Sequence, residues 1–144
     1  MTDTATEPTS EMILTWDDEY RLGIPQFDEQ HQRLVRLVSF IAMAVTQNGN
    51  AALIKALVLD IKSYAEVHFA DEEEFVRRVG FPERERHVAE HESFRRQLMH
   101  FISEAEKEAK IGMRVLQFMQ GWVKKHVLEC DRRYAEFHKE RGAE

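Results

Sequence analysis

Side chains that commonly bind metals recur on the apolar faces of four separate helical patterns in this chain. Five histidines and two carboxylates share this inward register: His31, His68, Glu72, His87, His91, His126 and Asp131. Burying charged groups without partners costs far more free energy than a small fold can tolerate. The chain is therefore restricted to folds that bring these side chains together, and a metal centre would satisfy all of them.

Helical periodicity predicts four long helices connected by short turns. The first pattern covers about residues 25–46, and a turn at residues 47–50 leads to a second pattern over about residues 51–79. The third and fourth patterns carry the remaining inward histidines. Long amphipathic helices with short connections predict an all-α, up-down-up-down four-helix bundle with an N-terminal arm.

The length of 144 residues, with 43% of them apolar, suits one domain with one core. Residues 1–12 are polar and are expected to form a flexible N-terminal tail. Residues 13–24 contain Trp16 and lead into the turn Gly23-Ile24-Pro25, which favours an ordered arm packed across the bundle. The bundle domain is therefore expected to span residues 13–140.

The composition of the chain argues against several classes of protein. A net charge of −6 disfavours a nucleic-acid partner or an anionic membrane surface. A run of about 18 apolar residues, as a transmembrane helix requires, is missing, and so are the basic start and apolar stretch of a secretory signal. We therefore expect a cytoplasmic protein with no membrane partner. Cys130 is the only cysteine, which excludes C-x-x-C metal motifs.

Two pairs of inward residues are spaced to act together. His68 and Glu72 are four residues apart, as are His87 and His91, so each pair lies on one helix face. One such pair is a weak signal, but the joint register on four helices favours a metal site. The other two histidines, at positions 100 and 138, do not share that register and are expected to face solvent.

The position of Asp131 is harder to interpret from spacing. It lies five residues after His126, which is about 140° around an ideal helix. Spacing alone favours Cys130 or Glu129. Either the helix is locally widened, as in a π-bulge, or the metals lie far enough across the helix face for both side chains to reach them.

The sequence resembles the hemerythrin family, specifically its single-domain bacterial members. The matching pieces lie between residues 16 and 134: Trp16, Gly23-Ile24, Asp28-Glu29-Gln30-His31, His68-Phe69-x-x-Glu72-Glu73, Gly80-Phe81-Pro82, His87-x-x-x-His91 and Trp122-x-x-x-His126-x-x-x-x-Asp131. The resemblance implies a non-haem di-iron site and selects Asp131 over Cys130. One departure is Val76, where the family usually has methionine.

By position, the resemblance implies a role for each ligand. One iron would be held by His87, His91 and His126, and the other by His31 and His68. Both would be bridged by Glu72, Asp131 and an oxo or hydroxo group. Dioxygen would bind reversibly at the open position of the two-histidine iron, as a peroxide-level adduct, for oxygen storage, delivery or sensing. Small anions such as azide are the other expected ligands, and no protein partner is indicated.

The ligand ratio bears on the chemistry. Five neutral imidazoles and two carboxylates should support iron(II) and iron(III) but resist higher oxidation states, whereas di-iron oxidases use mostly carboxylates. Reversible oxygen binding is therefore favoured over catalysis. The alternative is a di-iron enzyme that consumes peroxide or nitric oxide at the same site.

The surroundings of the site are also predicted. In the family, the core around the open iron forms a dry oxygen pocket, and the matching positions here are Leu34, Trp122, Val123 and Val127. Glu73 should mostly face solvent, with a contact to a ligand histidine as the less favoured alternative. Asp28 is a better candidate, either for such a contact or for the start of the first helix.

Overall fold

A computed structural model describes residues 15–47, 50–104 and 111–141 of the chain. The predicted tail at residues 1–12 lies outside the described residues, as do residues 13 and 14 of the predicted arm. The helices are α1 (Pro25–Thr46), α2 (Ala51–Arg78), α3 (Arg84–Glu104), α4 (Ile111–Lys125) and α5 (Arg132–Glu140), with a π-helical segment (His126–Asp131) between the last two. The final three elements form one continuous fourth helix. The prediction of an all-α four-helix bundle is confirmed.

Local sequence sets the ends of the helices. Pro25 opens α1 at a position where its missing N–H is not needed. The Asn50 side chain caps α2 by accepting a hydrogen bond of 2.8 Å from the backbone N–H of Leu53. Gly80 ends α2 with a φ of 73°, and the next backbone N–H, of Phe81, donates back to the carbonyl of Val76. This is the Schellman arrangement, which glycine adopts without steric cost.

Two apolar clusters fill the bundle. The larger one draws residues from α1 to α4, and includes Leu34, Phe69 and Val123. The smaller one, which includes Phe27 and Tyr134, lies where the N-terminal half of α1 meets the C-terminal part of α2 and α5. The histidine-rich region contacts aromatic rings of both clusters, and it therefore lies between them.

The described part of the predicted arm packs against the bundle. It contains a 3₁₀ turn at Asp18–Tyr20, and Tyr20 is buried in the larger cluster. The Trp16 ring lies 5.5 Å from that of Tyr20, and the Arg132 side chain donates to the backbone carbonyl of Glu19. These contacts tie the arm to the start of α5. None of the helices in the described residues combines the length and the apolar character that crossing a membrane would require.

Candidate metal centre

All seven inward ligand-type side chains meet in the interior of the bundle. Each is between 0 and 3% exposed. Their nitrogen and oxygen atoms form two groups, within each of which the ligand atoms lie within 4.8 Å of one another. The two groups are Glu72, His87, His91, His126 and Asp131, and His31, His68, Glu72 and Asp131. Both carboxylates belong to both groups.

The first group, here called the three-histidine half, forms around one oxygen of each carboxylate. Glu72 Oε1 lies 3.3 Å from His87 Nε2 and 3.1 Å from His91 Nε2. Asp131 Oδ1 lies 3.2 Å from His87 Nε2 and 3.0 Å from His126 Nε2. Two α-helices, α2 and α3, and the π-helical segment thus bring these atoms to a single position.

The second group, here called the two-histidine half, uses the other oxygen of each carboxylate. Glu72 Oε2 lies 3.2 Å from His31 Nε2 and 3.1 Å from His68 Nε2. Asp131 Oδ2 lies 3.0 Å from His31 Nε2. Each carboxylate therefore directs one oxygen to each half, which is how a carboxylate bridges two adjacent cations.

The contacts in the centre fit cation binding better than hydrogen bonding. Both oxygens of Asp131 are buried without a hydrogen bond of acceptable geometry, although ring nitrogens lie 3.0 to 3.2 Å away. The Nε2 atoms of His91 and His126 are only 3.2 Å apart. At that distance either one of the two nitrogens carries a proton or a metal ion binds both. Imidazole nitrogen and carboxylate oxygen are good ligands for divalent iron and its neighbours. The residues present therefore fit a pair of such ions.

The π-helical segment His126–Asp131 brings Asp131 into the centre. Its backbone hydrogen bonds run from residue i to residue i+5, so residues five apart lie about one turn apart. Cys130 is also buried, but its thiol donates to Glu90 Oε1 at 2.9 Å. The local widening that we considered from spacing alone is therefore present, and Asp131 rather than Cys130 completes the two groups.

Burial and mutual contact shift the pKa values of the metal-free centre. Burial disfavours charged imidazolium at His31 and His87, yet contacts with Asp131 and Glu72 outweigh it and raise the pKa of each histidine to about 9. Burial also disfavours the charged carboxylates, but the surrounding histidines lower the pKa of Glu72 and of Asp131. Without metal, the centre therefore holds protons that a cation would displace.

The outward-facing nitrogens of three histidines have partners of different charge. His91 Nδ1–H donates to Glu73 Oε2 at 2.8 Å. Glu90 Oε1 lies 3.4 Å from His126 Nδ1. On the other side of the centre, the side-chain oxygen of Gln30 accepts from His68 Nδ1. Such partners fix the ring orientation and tune the basicity of the nitrogen that faces the metal.

Glu90, Gln30 and Tyr134 were missed in the sequence. The Tyr134 hydroxyl, which is fully buried, donates to Glu72 Oε2 at 2.8 Å. Burial and the nearby Glu72 carboxylate raise the pKa of Tyr134 well above its usual value. Its position three residues after Asp131 was the only available signal. Gln30 and Glu90 neighbour ligands along the chain, where spacing does not distinguish a contact from a solvated side chain.

Two aromatic rings stack on the three-histidine half. Phe69 lies 3.8 Å from the His91 ring with an interplanar angle of 10°, and Trp122 lies 4.3 Å from the His126 ring at 13°. Trp122, one of the predicted pocket residues, also lines a surface cleft of about 390 Å³. The other predicted pocket residues, Leu34, Val123 and Val127, are buried in the larger apolar cluster. Their role around bound oxygen stays a prediction.

Four polar side chains outside the ligand set can be compared with their predictions. His100 is exposed, as expected. The prediction for His138 is wrong, since its ring packs 5.1 Å from that of Phe75 and is half-buried. Glu73 does not simply face solvent but accepts from His91, one of the converging histidines, which was the less favoured alternative. Asp28 serves the start of α1, because its carboxylate accepts from the backbone N–H groups of residues 22 and 23 at 2.7 and 3.1 Å.

Comparison with known proteins identifies relatives over most of the chain. A family profile described as "Hemerythrin HHE cation binding domain" matches residues 22–137. The bacteriohemerythrin of Clostridium acetobutylicum is 30% identical over 128 residues, which covers 85% of this chain and 98% of that protein. The bacteriohemerythrin of Stenotrophomonas maltophilia is 26% identical over 124 residues, covering 86% and 80%. A hemerythrin-like protein of Naegleria gruberi is 25% identical over 119 residues, covering 83% and 88%. The segment matched by the profile contains all seven converging side chains.

Proposed function

Because this chain belongs to the hemerythrin family, we propose that its seven converging side chains hold two iron ions and that the centre binds dioxygen reversibly. The observation that supports this most directly is the division of both carboxylates between the two histidine groups. A single-metal site would not need both oxygens of Glu72 and of Asp131 to face different sets of histidines.

The number of converging side chains differs between the halves, and from this difference we infer where a small ligand would bind. The three-histidine half offers five protein atoms, whereas the two-histidine half offers four. With an oxo or hydroxo bridge completing both, a six-coordinate iron in the two-histidine half keeps one position free for a small ligand. When bound, the iron pair would supply the two electrons with which dioxygen is held.

The protein would protect this position from water. Leu34, Val123 and Val127 are each no more than 2% exposed. Apolar side chains around a metal position keep out water and protons, which slows the irreversible loss of reduced oxygen species. From the smaller apolar cluster, Tyr134 holds Glu72 in place through its hydrogen bond to Oε2, the oxygen that faces the two-histidine half. A dry position, in a centre that has five neutral imidazoles in total, favours oxygen storage, delivery or sensing over repeated turnover.

Reversibility is the decisive test of this function. The iron-loaded protein is reduced under nitrogen, mixed with oxygen in a stopped-flow spectrometer, and then purged with nitrogen. We expect an absorption band that forms with oxygen, disappears on purging and returns over several cycles, and that azide suppresses. Sustained consumption of peroxide or nitric oxide, without a band that returns, would instead favour the enzymatic alternative.

A further inference from the structure

The histidines of the two halves differ in the charge of the groups behind them. In the three-histidine half, two histidines face carboxylates through their Nδ1 atoms: His91 faces Glu73 and His126 faces Glu90. In the two-histidine half, His68 faces the neutral amide of Gln30. The Nδ1 atoms of His31 and His126 are both buried without a hydrogen bond of acceptable geometry, but only that of His126 has a carboxylate, Glu90, at 3.4 Å. Negative charge is therefore placed behind only one half of the centre.

Glutamate carboxylates are ionised at neutral pH, so Glu73 and Glu90 each place a negative charge beside a histidine ring. Glu73 accepts the hydrogen bond of 2.8 Å from His91 Nδ1, and Glu90 Oε1 lies 3.4 Å from His126 Nδ1. Their side chains are 28% and 35% exposed, so solvent screens them only partly.

A hydrogen bond to Glu72 in the two-histidine half adds to the difference between the two halves. Tyr134 donates its hydroxyl proton to Glu72 Oε2, the oxygen that faces the two-histidine half. A hydrogen bond to a ligand oxygen withdraws electron density from it, and this makes the oxygen a weaker donor to a metal. Behind His68, the carboxylate of Asp71 is one link further away than the Gln30 amide, since it accepts from Gln30 Nε2 at 2.8 Å.

We propose that the two halves have unequal reduction potentials, with the iron of the three-histidine half the harder to reduce. This inference rests on the proposed di-iron function. An iron(III) ion carries one more positive charge than iron(II), so negative charge behind its ligands stabilises it preferentially. The first electron added to the diferric protein therefore reduces the iron of the two-histidine half, where the small-ligand position lies.

Two neighbouring groups weaken the influence of the Glu73 and Glu90 charges without cancelling it. Arg95 Nη2 lies 3.7 Å from Glu73 Oε2, but its Nε donates to Glu66 at 3.0 Å. The Cys130 thiol donates to Glu90, which also stands further from its histidine than Glu73 does. Of the two carboxylates, Glu73 should therefore contribute more to the difference.

The separation between the two one-electron midpoint potentials tests the proposal without identifying either iron by spectroscopy. Potentials are measured by spectroelectrochemistry under nitrogen, with mediator dyes supplying one electron to each iron(III). Glu73→Gln keeps a hydrogen-bond acceptor for His91 but removes the charge. The variant should raise the lower of the two midpoint potentials and so narrow their separation. We expect about a tenfold change in the equilibrium constant for reducing the iron of the three-histidine half, which corresponds to ~59 mV for one electron. Glu90→Gln should do the same to a smaller extent.

The reciprocal variant moves the charge to the other half. Gln30→Glu combined with Asp71→Asn exchanges the amide and the carboxylate, keeps a hydrogen bond between the two side chains and leaves the net charge unchanged. It should lower the higher potential and again narrow the separation. Glu74→Gln is the matched control, because it removes a carboxylate of the same helix that pairs with Arg77 rather than with a histidine, and it should leave the separation unchanged.

Each alternative outcome overturns the proposal. If the three-histidine half were reduced first, Glu73→Gln would raise the higher potential and widen the separation. Two unresolved potentials in the wild type, or no shift in any variant, would show that the outer charges do not distinguish the halves. Should Glu73→Gln lose iron, Glu90→Gln and the double variant still decide the question. Iron analysis gives about two ions per chain if the proposed centre exists, so failure of that function is recognised before any potential is measured.

Discussion

His126 and Asp131 are five residues apart in the sequence, yet His126 Nε2 lies 3.0 Å from Asp131 Oδ1. An ideal α-helix would rotate the two side chains about 140° apart. The π-helical segment between them removes that rotation and directs both into the three-histidine half. π-bulges occur frequently at functional sites, and here the irregularity brings a second carboxylate, that of Asp131, into both groups of converging side chains.

Cys130, one residue before Asp131, provides a direct test of this arrangement. Its thiol donates to Glu90 and lies with Glu90 beside His126, but it belongs to neither of the two groups that share Glu72 and Asp131. Cys130→Ser keeps a hydrogen-bond donor, so we expect unchanged iron content and a nearly unchanged spectrum of the oxygenated protein. Asp131→Ala removes an atom from each half and should lose most of the iron. Iron analysis and absorption spectra of the two variants measure this, and loss of iron in Cys130→Ser would contradict it.

Iron content should separate the converging histidines from the others. His68→Ala and His87→Ala each remove a buried ring nitrogen that lies 3.1 to 3.3 Å from Glu72. Removing one ligand should lower the content from about two irons per chain towards one or fewer. His100→Ala is the control, since His100 is exposed. Full iron retention in both ligand variants would rule out the assignment of the seven residues.

The stability of the metal-free protein should depend on pH through His31 and His87. Their pKa values are about 9 in the folded protein and 6.5 as the ordinary value, so their protonation favours the folded state. That stabilisation is complete below pH 6.5 and is lost as the pH rises through 9. Glu72 and Asp131 have lowered pKa values, so their contribution is present above 4.5 and 3.8 and is lost on acidification.

We therefore expect the melting temperature of the metal-free protein to be highest between pH 4.5 and 6.5 and to fall towards pH 9. Metal replaces the protons in the loaded protein, which should not lose stability over the alkaline interval. Thermal melts of both forms at pH 6.5 and pH 9 make the comparison. The idea fails if the two forms show parallel pH dependence.

Pocket volume should control the lifetime of the oxygenated protein. Val123 and Val127 are 0% and 2% exposed, at positions where the resemblance gives leucine and isoleucine. Val123→Leu and Val127→Ile should fill space that admits water or anions and should slow autoxidation. Overpacking is expected to cost about 1–3 kcal/mol of folding stability. The decay of the oxygenated spectrum measures the rate.

Val67→Leu is the matched control for the two valine variants, because Val67 is 57% exposed and should not affect the rate. Unchanged or faster decay in the two buried variants would mean that proton supply, rather than volume, limits the lifetime.

Local pattern was enough to determine the helices and the types of ligand. The period of apolar residues, Pro25 at one helix start and Gly80 at another helix end are all features that neighbouring residues establish. The first helix was predicted at about residues 25–46 and is found at Pro25–Thr46. The inward register of the five histidines is part of the same periodicity, so the sequence pattern alone predicts all five.

Tertiary structure decided the features that depend on how the helices are rotated and where they widen. On an ideal helix, spacing from His126 favours Cys130 over Asp131 as the residue that faces the centre. Only the π-helical segment reverses that order. Glu73 was expected mostly to face solvent, but the approach of α3 to α2 brings His91 within 2.8 Å of it. Which side chains meet across two helices depends on their crossing and rotation, which are set by packing of the whole core and not by the residues on either helix alone.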